Sequence, residues 1–121
     1  MIKRGMGLVL TGTENTAKAR LLAARQGRYV EIKSIELESY FKPWLTAKVR
    51  TVIVHGWAPL SMRAAEELKR MIASDTMAVE RQHEPAETLR TPNFIFCVAR
   101  QDAFRFAGDR RYHVVDIGDT K

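Results

Sequence analysis

One cysteine in 121 residues, Cys97, excludes an internal disulfide, and a lone thiol builds no zinc site. Four prolines and seven glycines, with no repeat and no Pro/Ser-rich stretch, leave no linker or domain boundary to place. Residues 1–121 therefore read as one small domain, and 45% apolar residues suffice for a single core. No apolar run approaches the ~18 residues of a membrane span. The opening MIKRGMGLVLTG turns polar too early for a secretory signal. The expected setting is cytoplasmic, with no membrane partner.

Charge of one sign is in excess. Lys plus Arg is 20 and Asp plus Glu 14, a net +6 with an isoelectric point near 9.8. Residues 1–50 hold ten basic and four acidic side chains, whereas residues 51–121 hold ten of each. A lopsided basic half suits a nucleic-acid or other polyanion surface. A merely solvated basic face is the alternative.

Along the chain, Gly7–Thr11 (GLVLT) has the form of a buried strand. Thr16–Gln26 reads as a helix with Ala17, Leu21, Leu22 and Ala24 apolar, stopped by Gly27. Tyr29–Ile32 is a second strand. Ser34 then opens an expected helix with Leu37, Tyr40, Phe41, Trp44 and Leu45 on one face, its regularity limited by Pro43. Thr51–Val54 (TVIV) is a central strand buried on both faces. Pro59 and Ser61 open a helix with Ala64, Ala65, Leu68, Met71 and Ile72 on one side. Thr76–Arg81 and Thr88–Thr91 are paired as a hairpin across a polar turn at Gln82–Glu87. Phe94–Val98 and Tyr112–Ile117 complete the strands. This order predicts an α/β fold with a mostly parallel sheet covered by helices.

At the first turn, Gly12–Ala19 (GTENTAKA) matches the phosphate-loop form GxxxxGK[ST] at Gly12 and Lys18. In that form loop N–H groups surround the phosphates, the lysine reaches β/γ oxygens, and a hydroxyl holds Mg²⁺. Ala17 replaces the second glycine, Ala19 replaces the hydroxyl, and Glu14 puts an anion in the loop. Taken by itself, this segment also fits a plain strand–turn–helix with an exposed lysine.

The later segments resemble the ATPase domain of superfamily 3 helicases and related phage primase-helicases, a branch of the AAA+ P-loop proteins. Glu67–Arg81 is similar to that family's helix and hairpin, Asn93–Arg100 to its sensor strand, and Asp109–Asp116 to its arginine-finger segment. In order and spacing the resemblance runs from about Gly7 to Ile117. It implies a three-layer P-loop sandwich with a hairpin insertion. The departures fall on chemistry. His55–Gly56–Trp57 stands where the family has Walker B carboxylates, Arg100 where it has the sensor asparagine, and Ala19 where it has the metal-holding hydroxyl. Phosphoryl transfer needs Mg²⁺ coordination and an oriented water. The expectation is a pseudo-ATPase with no catalytic residue, no metal site and no required cofactor, ATP and Mg²⁺ included.

The resemblance also implies where contacts fall. Arg81 and His83, at the hairpin tip, are candidate nucleic-acid contacts, and Arg110 and Arg111 are candidate finger or interface residues. Lys18 is either a residual phosphate contact or a surface lysine. With no carboxylate beside it in the sequence, His55 reads as structural. Cys97 reads as a core residue, and Trp57 as either a core edge or an interaction anchor. The expected role is a non-catalytic relative of a phage or mobile-element replicative helicase, acting in a bacterial host if phage-encoded. It would bind single-stranded nucleic acid or a replication protein such as a helicase, and be a monomer or small oligomer alone. Two alternatives are a residual nucleotide-binding protein or weak ATPase using Lys18, and an interaction module with no polyanion ligand.

Overall fold

A computed structural model describes residues 5–81 and 83–117. Five strands form one sheet: β1 (Gly7–Thr11), β2 (Tyr29–Lys33), β3 (Thr51–His55), β6 (Asn93–Cys97) and β7 (Tyr112–Asp116). Their spatial order is β2-β3-β6-β1-β7 and every pairing is parallel. The two strands β4 (Thr76–Arg81) and β5 (Glu84–Arg90) form a separate antiparallel hairpin between helix α2 (Met62–Ala73) and β6.

Side-chain alternation sorts the core into two layers. Leu8, Leu10, Ile53, Ile95 and Cys97 face helix α1 (Asn15–Gln26), meeting Ala19, Leu22 and Ala23. Val9, Val52, Val54, Phe94 and Phe96 point the other way, against Leu68, Met71 and Ile72 of α2. Val9, Val52, Ile53, Val54 and Ile95 are fully buried, as continuous β-branched and aromatic runs between two helical layers require. Ser61 caps α2 by accepting the Ala64 N–H at 3.2 Å.

Three expectations are corrected. The helix expected from Ser34 is only a 3₁₀ turn, Ser34–Glu38, followed by successive tight turns. Pro43 supplies no N–H and disfavours helical backbone at Lys42. Leu37 and Leu45 are buried all the same, but Tyr40 and Phe41 are exposed. On α1, the expected apolar positions Ala17, Leu21 and Ala24 face solvent. The hairpin turn is shorter than expected, since Glu84–Glu87 lie within β5. The ribbon is mostly solvated and is held by Val79 and Leu89 against Leu45, and the wholly exposed Glu84–Glu87 carry no strand signal in the sequence. A second 3₁₀ segment, Arg100–Arg105, was not anticipated. Among the described residues no helix is long and apolar enough to cross a membrane.

Candidate functional site

In open parallel sheets, ligands bind outside the carboxyl ends of strands, where successive connections leave to opposite faces. Here the chain leaves β1 into α1 on one face. It leaves β6 toward Phe106, which packs in the α2-side layer. The β1–β6 seam is therefore such a crevice.

Gly12 ends β1 at φ +101, a conformation that suits glycine. Only Gly12, Thr13 and Glu14 separate β1 from α1. The Asn15 side-chain amide donates to the Leu10 carbonyl at 3.0 Å and to the Val98 carbonyl at 3.2 Å, bridging both sides of the seam. The Asn15 and Lys18 backbone N–H groups are spent on the Gly12 and Glu14 carbonyls. Lys18 lies within the helix and is exposed, while Ala19 is fully buried in the core. The connection from β1 to α1 is thus a tight turn, with the Asn15 amide tying β1 to the residue after β6.

On one flank, His55 Nε2 lies 2.7 Å from Glu31 Oε1 of β2. Glu31 also accepts a two-point contact from Arg20, at 2.8 and 2.9 Å. His55 therefore has the carboxylate partner that the sequence reading lacked. The signal was available only jointly: β2 and β3 pair in parallel with Lys33 opposite His55, which brings Glu31 within reach. The Arg20 hydrogen bond first, then that of His55, holds the Glu31 carboxyl below its ordinary 4.5, against an opposing effect of burial. Its contribution to stability is present above the ordinary value and is lost as pH falls through the lowered one. In Arg20→Ala, carboxyl NMR titration should find the Glu31 value moved back up. An unchanged value would assign the shift to His55 instead.

On the other flank, Asp116 Oδ1 accepts from Thr11 Oγ1 and from Arg100 Nε, both at 2.9 Å. Arg100 is thus tied to a carboxylate of β7. Cys97 is buried, free of disulfide, and its thiol is pushed up to about 11 by burial, so it stays protonated at neutral pH. On the opposite layer, Trp57 is 37% exposed at the mouth of a cavity of about 300 Å³. The Arg105 guanidinium stacks 3.6 Å above its ring centroid.

The remaining expected residues stand apart. His83 is exposed at the hairpin turn with φ 65, and Arg81 ends β4 with its side chain outside the described set. Arg110 is exposed, and Arg111 pairs with Asp109 at 3.3 Å. Both arginines precede β7, whose amino end lies beside Gly7 and whose carboxyl end lies beside Thr11. About 13 Å of strand separates them from the Gly12 turn, at the other end of the sheet.

The architecture is a mixed α/β fold with a parallel central sheet between helices, of the broad kind found in NTPase and helicase domains. Among solved structures it is similar to the A form apo structure of the NrS-1 C-terminal region, with a TM-score of 0.64 and 21% identity over 97% of this chain. A second apo structure of that region matches with a TM-score of 0.67 and 20% identity over 93% of this chain. At this identity the likeness establishes the fold. The chain spans 30% of the length of either matched structure. No family model matches the sequence, and no curated protein matches it.

Proposed function

We propose that this chain is a non-catalytic, pseudo-ATPase relative of a phage or mobile-element replicative helicase domain, binding single-stranded nucleic acid or a replication protein to regulate it. The observation that supports the reading is the Asn15 bridge between the Leu10 and Val98 carbonyls, which ties the two sides of the seam together at the turn that resembles a phosphate loop. The residues around it do not fit Mg²⁺-nucleotide. Glu31 is held by Arg20 and His55, Asp116 by Arg100 and Thr11, and the position of the metal-holding hydroxyl is a buried alanine. Support for a helicase-like origin comes from the likeness in fold together with the segments Glu67–Arg81, Asn93–Arg100 and Asp109–Asp116.

A phosphate-release assay with Mg²⁺ and ATP is expected to find no turnover. Ala17→Gly with Ala19→Ser should not create any, because the acidic pair that would hold Mg²⁺ is still absent after β3. Mg²⁺-dependent turnover that disappears in Lys18→Ala would overturn the proposal in favour of a residual ATPase. Association with a helicase partner, if it uses the finger-like face, should weaken in Arg110→Ala/Arg111→Ala.

A further inference from the structure

We infer that single-stranded nucleic acid is gripped through its phosphates at the amino edge of the sheet, in a basic cleft far from the degenerate loop. The inference rests on the nucleic-acid part of the proposed function and is independent of whether ATP is hydrolysed.

A cleft of about 390 Å³ opens where β3 and β6 begin, lined in part by Gln26, Arg50, Arg90, Thr91 and Asn93. Arg50 is anchored at its backbone on both sides: its N–H donates to the Arg28 carbonyl at 2.7 Å, and its carbonyl accepts from Asn93 at 2.9 Å. Arg90 reaches the same cleft from the end of β5. Both arginines are exposed, and neither has an ion-pair partner among the described residues. The contrast within the molecule is informative. Arg20, Arg63, Arg100, Arg105 and Arg111 are each paired with a carboxylate. Arg25, Arg28 and Lys48, all exposed, lie within two residues of Gln26 or Arg50 and extend the positive edge. Asp75 is the neighbouring acid. Its backbone carbonyl accepts the Thr91 N–H, and it borders a smaller adjoining cavity, not this cleft.

A guanidinium fork matches phosphate geometry with two parallel donors. Among the described residues no aromatic side chain lines the cleft, so the contacts there are to the backbone and not to stacked bases. Contacts limited to the backbone hold the strand without reading its sequence. The basic excess of residues 1–50 thus contributes to one edge of the sheet through Arg25, Arg28, Lys48 and Arg50, where β5 adds Arg90.

The test is fluorescence anisotropy with a labelled oligothymidylate of roughly twenty nucleotides, longer than a single-domain site, titrated at several salt concentrations. Wild type is compared with Arg50→Gln/Arg90→Gln and with Lys33→Ala, which removes charge from the opposite edge; circular dichroism checks that each is folded. The double variant should bind roughly tenfold or more weakly. Its log–log salt slope should shrink by about 1.4, at about 0.7 per lost phosphate contact. Lys33→Ala should bind as wild type does, and a mixed-sequence strand should bind like the thymidylate. Wild-type binding that survives unchanged in the folded double variant would overturn the cleft while leaving the nucleic-acid reading in place. Absence of wild-type binding at low salt would overturn both the cleft and that reading. Binding of a polyglutamate probe in place of the oligonucleotide would reassign the cleft to an acidic protein partner.

Discussion

Phe96→Ala is expected to remove about 3–5 kcal/mol of stability, and with it roughly 10–20 °C of melting temperature. Phe96 is 3% exposed in β6, the strand between β3 and β1. Its ring stacks on Phe94 with centroids 6.3 Å apart and meets Phe106 and Tyr112 at 5.6 Å each. It therefore joins the central strand to the segment that returns over β1 into β7. Its ring also lies so close to Gly7 that a Cβ there would stand 3.1 Å from it and 3.0 Å from Tyr112. Alanine at position 96 would leave a cavity among aromatic groups too rigid to collapse into it. Because small domains hold only about 5–15 kcal/mol in total, the variant should lose a large share of its stability. A urea melt giving a loss below about 1 kcal/mol would mean that the aromatic group repacks.

The second large effect is expected at Glu67. Lys42 is only 4% exposed, and its ammonium donates to Glu67 Oε1 and to the Ser39 carbonyl, both at 2.7 Å. Removing a partner from a buried charge costs more than the pair contributes, because the remaining ion keeps its desolvation penalty. Glu67→Ala should therefore cost about 3 kcal/mol, at the lower end of the range for such changes since Ser39 still accepts. Lys42→Met with Glu67→Leu removes both charges and should cost clearly less than Glu67→Ala alone. Equal losses in the single and double variants would show that packing at this position, and not charge, sets the cost.

Neither the buried lysine nor its partner was legible in the sequence. The segment from Ser34 to Leu45 carries apolar residues at helical spacing, and a helix would have left Lys42 in solvent. Pro43 breaks that helix, and the hairpin supplies the cover through Val79 and Leu89 on Leu45. The amphipathic face of α2, by contrast, was readable, because Ser61 caps it and its apolar positions recur every three to four residues. The hairpin was readable in its first strand, where Thr76–Arg81 alternates. It was not readable in Glu84–Glu87, whose side chains all face water.

The candidate site divides in the same way. Substitutions at Ala17, Ala19 and His55 are visible in one dimension, since each is a residue type that cannot do the chemistry its position serves in the resembling family. What those positions do instead depends on partners far along the chain. Asn15 reaches Val98 across 83 residues, His55 reaches Glu31 across 24, and Thr11 reaches Asp116 across 105. Arg50 and Arg90 come to one cleft only because β3 and β6 are neighbours in the sheet.

The sequence by itself determined which segments are strands and helices in the core. Continuous β-branched and aromatic runs must be buried on both faces, and a capped amphipathic stretch must cover them. Only the tertiary structure decided the order of the strands, since any parallel crossover satisfies the local pattern equally well. That order sets which strand ends are adjacent, and hence which side chains meet at the two edges. The carboxyl edge carries the Asn15 bridge and two ion-paired carboxylates. The amino edge is left open with Arg50 and Arg90 facing a shared cleft.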